Sequence, residues 1–248
     1  VNGDHRRTVL ITGGSRGIGA AAALKFAANG VNVVIQYLHS HDAAQTIAEQ
    51  CRRYGVESRI YAVDVRSRAQ IQAMKEELFV LGLVPDVLVN NAGIAHYGML
   101  ADVSEEEWDD VIDTNLKGMF LVTQAFMEPM VRRKFGRIIN VSSIWGSTGA
   151  ACEVVYSAAK GGVNAFTKAL AKELAPSGVT VNAVAPGAVR TSMLDHLRSD
   201  ELSALVDDIP VGRLAEPEEI ASLIYFLSLP ESGYITGQII SPNGGWLT

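Results

Sequence analysis

Tyr156 and Lys160 stand four residues apart in the run Tyr156-Ser157-Ala158-Ala159-Lys160. On a helix that spacing brings both side chains to one face. An ammonium beside a phenol stabilises the phenolate and lowers its pKa. Such a tyrosine donates a proton to an alkoxide formed by hydride attack on a carbonyl, and takes it back in the reverse reaction. Alone, the same pair is an ordinary feature of a helix surface. Here two more residues accompany it. Ser143 follows an apolar run at 137–141 and is placed to hydrogen-bond a carbonyl oxygen. Asn115, in Asp113-Thr114-Asn115-Leu116, falls inside a long helical stretch. A buried Asn there needs partners. It either holds a water in a relay to Lys160 or marks a helix kink or local cap.

A hydride needs a carrier, and the N-terminal region offers a place for one. The run Thr12-Gly13-Gly14-Ser15-Arg16-Gly17-Ile18-Gly19 lies between a short apolar strand and an Ala-rich helix. Glycines at 13, 17 and 19 permit a tight turn and close backbone approach, and N–H groups at the helix start face a pyrophosphate. The spacing is G-x-x-x-G-x-G rather than the commoner G-x-G-x-x-G. An NAD site usually carries Asp or Glu after the second strand, to bond the ribose hydroxyls. Here that segment is Gln36-Tyr37-Leu38-His39. With no carboxylate there and Arg16 inside the loop, the pattern favours NADP(H), the guanidinium pairing with a 2′-phosphate. The competing reading of Arg16 is a solvated surface charge. Asp64, after the third strand, either hydrogen-bonds the adenine or caps the following helix.

These residues have to be positioned by a regular scaffold. Strand-like runs at 8–11, 31–37, 58–63, 87–90, 137–141, 179–185 and around Ile239 and Ile240 alternate with helical stretches at 17–28, 42–54, 68–82, 105–133, 156–175 and 217–227. The long helix 105–133 contains Pro129, where a bend is expected. Alternating βα units imply a parallel sheet with helices on both faces. No linker or composition shift divides the chain. The reading is one α/β, doubly wound Rossmann-type domain over 1–248, with a seven-stranded parallel sheet. Such sheets bind ligands at the carboxyl ends of their strands.

Composition excludes other classes. Hydrophobic residues make up 48% of the 248 and charged residues 19%, so the chain can fill a core and is not disordered. With net charge −6 and no basic run, nucleic-acid binding is not expected. No stretch reads as a membrane span. The segment 1–7 is polar, lacks an apolar signal core and begins without Met, as a processed or trimmed end would. Cys51 and Cys152 are far apart and in no metal-ligand spacing. No metal site is expected, and a reducing cytoplasm is the simplest setting.

Thr12 to Gly19, Asn90-Asn91-Ala92-Gly93, Asn115, Ser142-Ser143, Tyr156 to Lys160, and Pro186-Gly187 with Thr191, in that order, resemble the short-chain dehydrogenase/reductase family over nearly the whole chain. The resemblance implies that Asn115, Ser143, Tyr156 and Lys160 form a catalytic tetrad. It implies that Asn91 packs the cofactor region, that backbone around Pro186, Gly187 and Val189 meets the nicotinamide carboxamide, and that Thr191 sits near its amide or the diphosphate. Gly13, Ser15, Arg16, Gly17, Ile18, Gly19, Tyr37, Asp64, Val65, Ala92, Gly93, Tyr156 and Lys160 complete the implied cofactor set, with Lys160 on the nicotinamide ribose. The implied reaction is hydride transfer to a ketone, with Ser143 and Tyr156 on the oxygen and a relay through Lys160, water and Asn115.

Within the family, Ile209-Pro210-Val211-Gly212-Arg213, Glu218-Glu219-Ile220-Ala221, Tyr234-Ile235-Thr236-Gly237-Gln238 and Asn243-Gly244-Gly245 look most like 3-oxoacyl-acyl-carrier-protein reductases of fatty acid biosynthesis. Many other members share these features. Ser143-Ile144-Trp145-Gly146 and Cys152-Glu153-Val154-Val155-Tyr156 resemble instead a bacterial subgroup that reduces 5-aminopentanone attached to elongation factor P. Glu153 there meets a substrate amine, or is a solvent-facing loop carboxylate. A third reading keeps the fold without the chemistry, as a dinucleotide-sensing regulator. The resemblance also implies a homotetramer built on the helices around 105–133 and 156–175. Met119, Phe120, Val122, Phe126 and Met127 give the first of these more apolar surface than one face needs, unless all are core. Finally, 191–213 carries Met193, Leu194, Leu197, Leu202 and Leu205 at helical spacing, with Asp195, Arg198, Asp200, Glu201, Asp207 and Asp208 between them. It reads as a substrate lid, apolar side inward and charges to water, or as a fixed surface helix pair.

Overall fold

Along each central strand, alternate residues enter different cores. Val9, Ile11, Val33, Ile35, Val87, Val89, Ile139 and Val141 pack on one face, and Leu10, Val34, Leu88, Ile138 and Val181 on the other. A strand covered on both sides needs apolar residues at successive positions, which is why these segments read as continuous runs. The computed structural model describes residues 6–195 and 197–247; the segment ahead of Arg6 lies outside them. Seven strands, β1 (Thr8–Thr12), β2 (Asn32–Tyr37), β3 (Ser58–Ala62), β4 (Val87–Asn90), β5 (Gly136–Val141), β6 (Val179–Val184) and β7 (Ile239–Ile240), are all parallel, in the order β3-β2-β1-β4-β5-β6-β7. The order reverses at β1, between β2 and β4, which opens a crevice at the carboxyl edge.

The helices are α1 (Gly17–Ala28), α2 (His41–Arg52), α3 (Arg68–Val80), α4 (Glu105–Ile112), α5 (Gly118–Arg133), α6 (Trp145–Thr148), α7 (Val154–Leu174), α8 (Ser199–Asp207) and α9 (Pro217–Leu227). α1, α2 and α9 contribute Phe26, Ala44, Ala48, Ile220 and Ile224 to the first core. α3, α5 and α7 contribute Ile71, Leu78, Phe126, Leu170 and Leu174 to the second. This is the doubly wound, seven-stranded sheet expected from the alternation.

Three local differences bear on the site. The stretch 105–133 is not one regular helix. A π-helical turn, Asp113–Lys117, separates α4 from α5, whereas α5 runs through Pro129 to Arg133. The short helix α6 was not legible, and α7 starts at Val154, a half-turn before Tyr156. Of the apolar residues on α5, Met119, Val122 and Phe126 are core, while Phe120 is exposed and Met127 half-buried. Among the described residues, no helix is long and apolar enough to cross a membrane, and no group of side chains is arranged to hold a metal ion.

Candidate active site

A cavity of about 690 Å³ opens at the carboxyl ends of the strands, lined by loops after β1 to β6 and by α7. Its floor at one end is the glycine loop. Gly13 and Gly17 adopt φ of +62° and +54°, a left-handed conformation that favours glycine. A Cβ on Gly13 would lie 2.9 Å from Ala92 Cα, and one on Gly19 only 2.4 Å from the Gly13 carbonyl oxygen. The loop is held from outside. The Gln36 side chain accepts the Gly13 N–H at 2.9 Å, and Asn91 Nδ2 donates to the carbonyls of Thr12 and Gly13 at 3.0 Å. Gly13, Ser15, Arg16, Gly17 and Ile18 line the cavity, whereas Gly19 packs beneath the turn. Arg16 is exposed, and among the described residues its guanidinium has no hydrogen-bond or ion-pair partner.

Beyond the loop the wall continues through Tyr37, Leu38, His39 and Ser40, then Asp64, Val65 and Arg66. The Tyr37 hydroxyl is engaged with His41 Nδ1 at 2.6 Å. Asp64 is not the cap of α3. Ser67 takes that position, accepting the Gln70 N–H, while Asp64 accepts from the Arg66 backbone N–H and from its guanidinium. The Arg66 hydrogen bond holds the Asp64 carboxyl below its ordinary range. Arg66 reaches on to Asp110 of α4 at 2.7 Å.

At the other end stand Tyr156 and Lys160. They lie one turn apart on α7, 8% and 4% exposed, with Lys160 Nζ 5.5 Å from the centroid of the tyrosine ring. Lys160 donates to the Val141 carbonyl at 2.9 Å, which fixes its ammonium at the end of β5. The Ser143 hydroxyl stands beside the Tyr156 phenol and accepts the Trp145 N–H at 3.2 Å. Burial dominates both titrations. It pushes Tyr156 up to about 12, with Ser143 acting in the lowering direction and Glu153 raising it further. It brings Lys160 down to about 8. The expected lysine-lowered phenol is therefore corrected. Desolvation dominates, Lys160 is not among the groups that shift the phenol, and Tyr156 stands neutral with its proton to give.

Asn115 is 2% exposed, at the centre of the π turn. Its Oδ1 accepts the Ile94 N–H and its Nδ2 donates to the Ile94 carbonyl, both at 2.8 Å. It thus pins the loop after β4, and both Asn115 Oδ1 and Lys160 Nζ lie close to Gly93. A buried strut sets the helices that carry these groups. Asn90 Nδ2 donates to Thr123 Oγ1 of α5 and to Asn140 Oδ1, and Asn140 Nδ2 donates to Thr167 Oγ1 of α7. Tyr156 and Lys160 line the cavity, with Asn91, Ala92, Gly93, Pro186, Gly187, Val189 and Thr191. Ser143 and Asn115 are not among its lining residues, though Ser142 and Ile144 on either side of Ser143 are.

Several lining residues were not anticipated. Ile94 to Tyr97 and Trp246 belong to loops, and Trp145 opens the short α6, whose courses only the fold decides. Of the lid residues, Met193, Leu194, Leu197 and Leu205 line the cavity but Leu202 does not. Glu201, expected to face water, lines it too. Glu153 is half-buried on the wall rather than a solvent-facing carboxylate.

Comparisons with known proteins agree with this geometry. The sequence model of the short chain dehydrogenases matches residues 7–202. The chain is similar to the uncharacterized oxidoreductase YmfI of Bacillus subtilis, 43% identical over 97% of this chain and 98% of the relative. It is equally similar, at 43% identity over 96% and 98%, to a 3-oxoacyl-[acyl-carrier-protein] reductase FabG of Staphylococcus epidermidis. Against the Aquifex aeolicus FabG the identity is 41% over 95% of both chains.

Proposed function

The chain belongs to the short-chain dehydrogenase family, oxidoreductases that use nicotinamide dinucleotides, and from that premise we propose that it reduces a ketone to a secondary alcohol with NADPH. The observation that carries the reading is a buried, neutral Tyr156 with Lys160 and a glycine loop on the wall of one cavity. When bound, the nicotinamide supplies a hydride. The glycine loop suits a pyrophosphate, since Gly13, Ser15, Arg16, Gly17 and Ile18 bring the start of α1 onto the cavity. Arg16, unpaired at its mouth, is the cation for a 2′-phosphate, and no carboxylate ends β2 to prefer a free ribose hydroxyl. Tyr37, Asp64, Val65 and Asn91 to Gly93 line the dinucleotide groove, and Pro186, Gly187, Val189 and Thr191 flank its nicotinamide end.

Tyr156 donates its hydroxyl proton to the developing alkoxide. Ser143, beside the phenol, orients that hydroxyl and the substrate oxygen. Lys160 supplies positive charge beside the phenolate left behind, and Asn115 anchors the relay that restores the proton. Acid–base assistance of this kind contributes about 10²–10⁴-fold. The helices 191–213 act as a lid that excludes water. A homotetramer accounts for Phe120 and Trp108, which stay exposed on α5 and α4. Sedimentation giving a monomer at micromolar concentration would remove that assembly. The free thiols Cys51 and Cys152 suit a cytoplasmic setting.

The substrate favoured first is a 3-oxoacyl thioester, on the strength of the relatives named as such reductases. Glu153 supports a second reading. A half-buried carboxylate three residues before Tyr156 suits a ketone bearing an amine, as on aminopentanone-modified elongation factor P. The deciding experiment compares acetoacetyl thioesters with the aminopentanone-modified protein, each with NADPH and NADH. Oxidation of NADPH by neither substrate nor a generic ketone would leave the non-catalytic regulator.

A further inference from the structure

Trp145 and Trp246 come from distant parts of the chain and meet on the cavity wall. Their rings pack edge to face, centroids 5.2 Å apart at 70°. Neither belongs to a hydrophobic core, and both are half-buried. Large rigid rings left outside a core and turned onto a cavity contribute shape there.

The backbone that carries each ring is held in place. Trp145 follows Ser143 by two residues, and its N–H donates to the Ser143 hydroxyl. Trp246 ends a C-terminal hook that begins at Asn243. The Asn243 side chain accepts the Gly245 N–H, and its carbonyl accepts that of Trp246 at 3.1 Å. The hook rests on two elements of the site. A Cβ on Gly187 would meet Asn243 Cα at 3.1 Å, and the Gly244 carbonyl accepts the Val211 N–H at the end of the lid. The tryptophan pair therefore has little room to yield.

We propose that Trp145 and Trp246 form an aromatic wall of the substrate compartment that sets how large a ketone reaches Tyr156, selecting short aliphatic chains on the carbonyl. This rests on the ketone-reductase reading. Rigid rings on the wall of the cavity that Tyr156 also lines exclude a longer substituent sterically, and truncating one ring admits it. Hydrophobic pockets discriminate single methylenes by about 10–200-fold, so a lost indole leaves a readable change.

The test uses linear 2-ketones and 3-oxoacyl thioesters of rising length, with Trp246→Ala, Trp246→Phe and Trp145→Leu. NADPH affinity is followed by fluorescence. The wild type favours short chains. Trp246→Ala raises the long-to-short ratio of kcat/KM at least about tenfold, with NADPH affinity unchanged. Trp246→Phe keeps the wild-type profile, and Trp145→Leu shifts it in the same direction as Trp246→Ala. A Trp246→Ala protein that binds NADPH normally yet keeps the wild-type ratio overturns the wall. If that variant fails to fold, the Trp145→Leu ratio decides alone. If the wild type reduces no ketone, the catalytic reading has failed instead. The wall is then read from thermal stabilisation by secondary alcohols of rising length in the presence of NADPH. The longest stabilising alcohol lengthens in Trp246→Ala, or the proposal falls.

Discussion

Replacing Lys160 by Met removes a buried cation whose cost can be worked out. Burial brings Lys160 from its ordinary 10.5 to about 8. A base lowered in the folded state makes the protein less stable while it is charged; stability returns as pH rises through 8 toward 10.5. At about 1.4 kcal/mol per unit, the ammonium costs the fold about 3 kcal/mol near pH 7 and about 1.5 near pH 9.5. Lys160→Met escapes that cost but leaves the Val141 carbonyl without its 2.9 Å donor, at about 1–3 kcal/mol. The variant is thus expected to match or exceed the wild type near neutrality. Its relative stability should then fall by about 2 kcal/mol between the two pH values, or roughly 4–8 °C in Tm for a chain of this size. Tyr156, raised to about 12, loses its own contribution only above pH 10 and stays outside this window. Thermal unfolding of both cofactor-free proteins at the two pH values measures it. A stability difference that stays constant or moves the other way refutes the buried-charge argument. The same variant should lose nearly all ketone reduction.

Tyr156→Phe keeps the ring and removes the donated proton, so kcat falls about 10²–10⁴-fold while NADPH affinity is nearly intact; retention of more than about a tenth of kcat dismisses Tyr156 as the acid. Arg16→Ala weakens NADPH much more than NADH, because only NADPH carries a 2′-phosphate; equal losses in direct binding titrations assign Arg16 another task. In Gly19→Ala the new Cβ meets the Gly13 carbonyl at 2.4 Å, an overpacking worth about 1–3 kcal/mol, and dinucleotide binding falls with Tm; a variant that binds NADPH as the wild type does contradicts the tight loop. For the lid, amides over 191–210 exchange fast in the free protein and become protected in the ternary complex; strong, unchanging protection makes the segment scaffold.

What was legible in the sequence is what local spacing fixes. The glycine loop and the Tyr156–Lys160 pair depend on residues a turn or less apart, so their chemistry is written in short runs. The doubly wound sheet followed from apolar runs alternating with helices. The acidity of Tyr156 was misjudged because the ammonium is visible in the sequence and the desolvation is not. Asp64 was read against adenine and α3, while its partner, Arg66, stood two residues away. Trp246, Glu201 and the burial of Glu153 depend on how the C-terminal hook, the lid and the loop before α7 converge on one cavity. The break at Asp113–Lys117 escaped detection because apolar spacing was read as one helical period through to Arg133.

That π turn makes chain length, and not only residue identity, part of the inheritance of this protein. A wide turn holds one residue more than the α-helix it interrupts, and here the turn carries Asn115. Deleting a single residue between 113 and 117 would let the segment close into one regular helix, a change that local backbone preferences favour. The flanks α4 and α5 would stay nearly in phase, because the wide turn absorbs its extra residue, so Val111 would keep its contacts with Val155 and Ala159 of α7. What would be lost is the widened turn from which Asn115 reaches both backbone groups of Ile94. Substitutions on the exposed side of this region are expected to be tolerated, whereas a one-residue deletion anywhere in the turn should be purged.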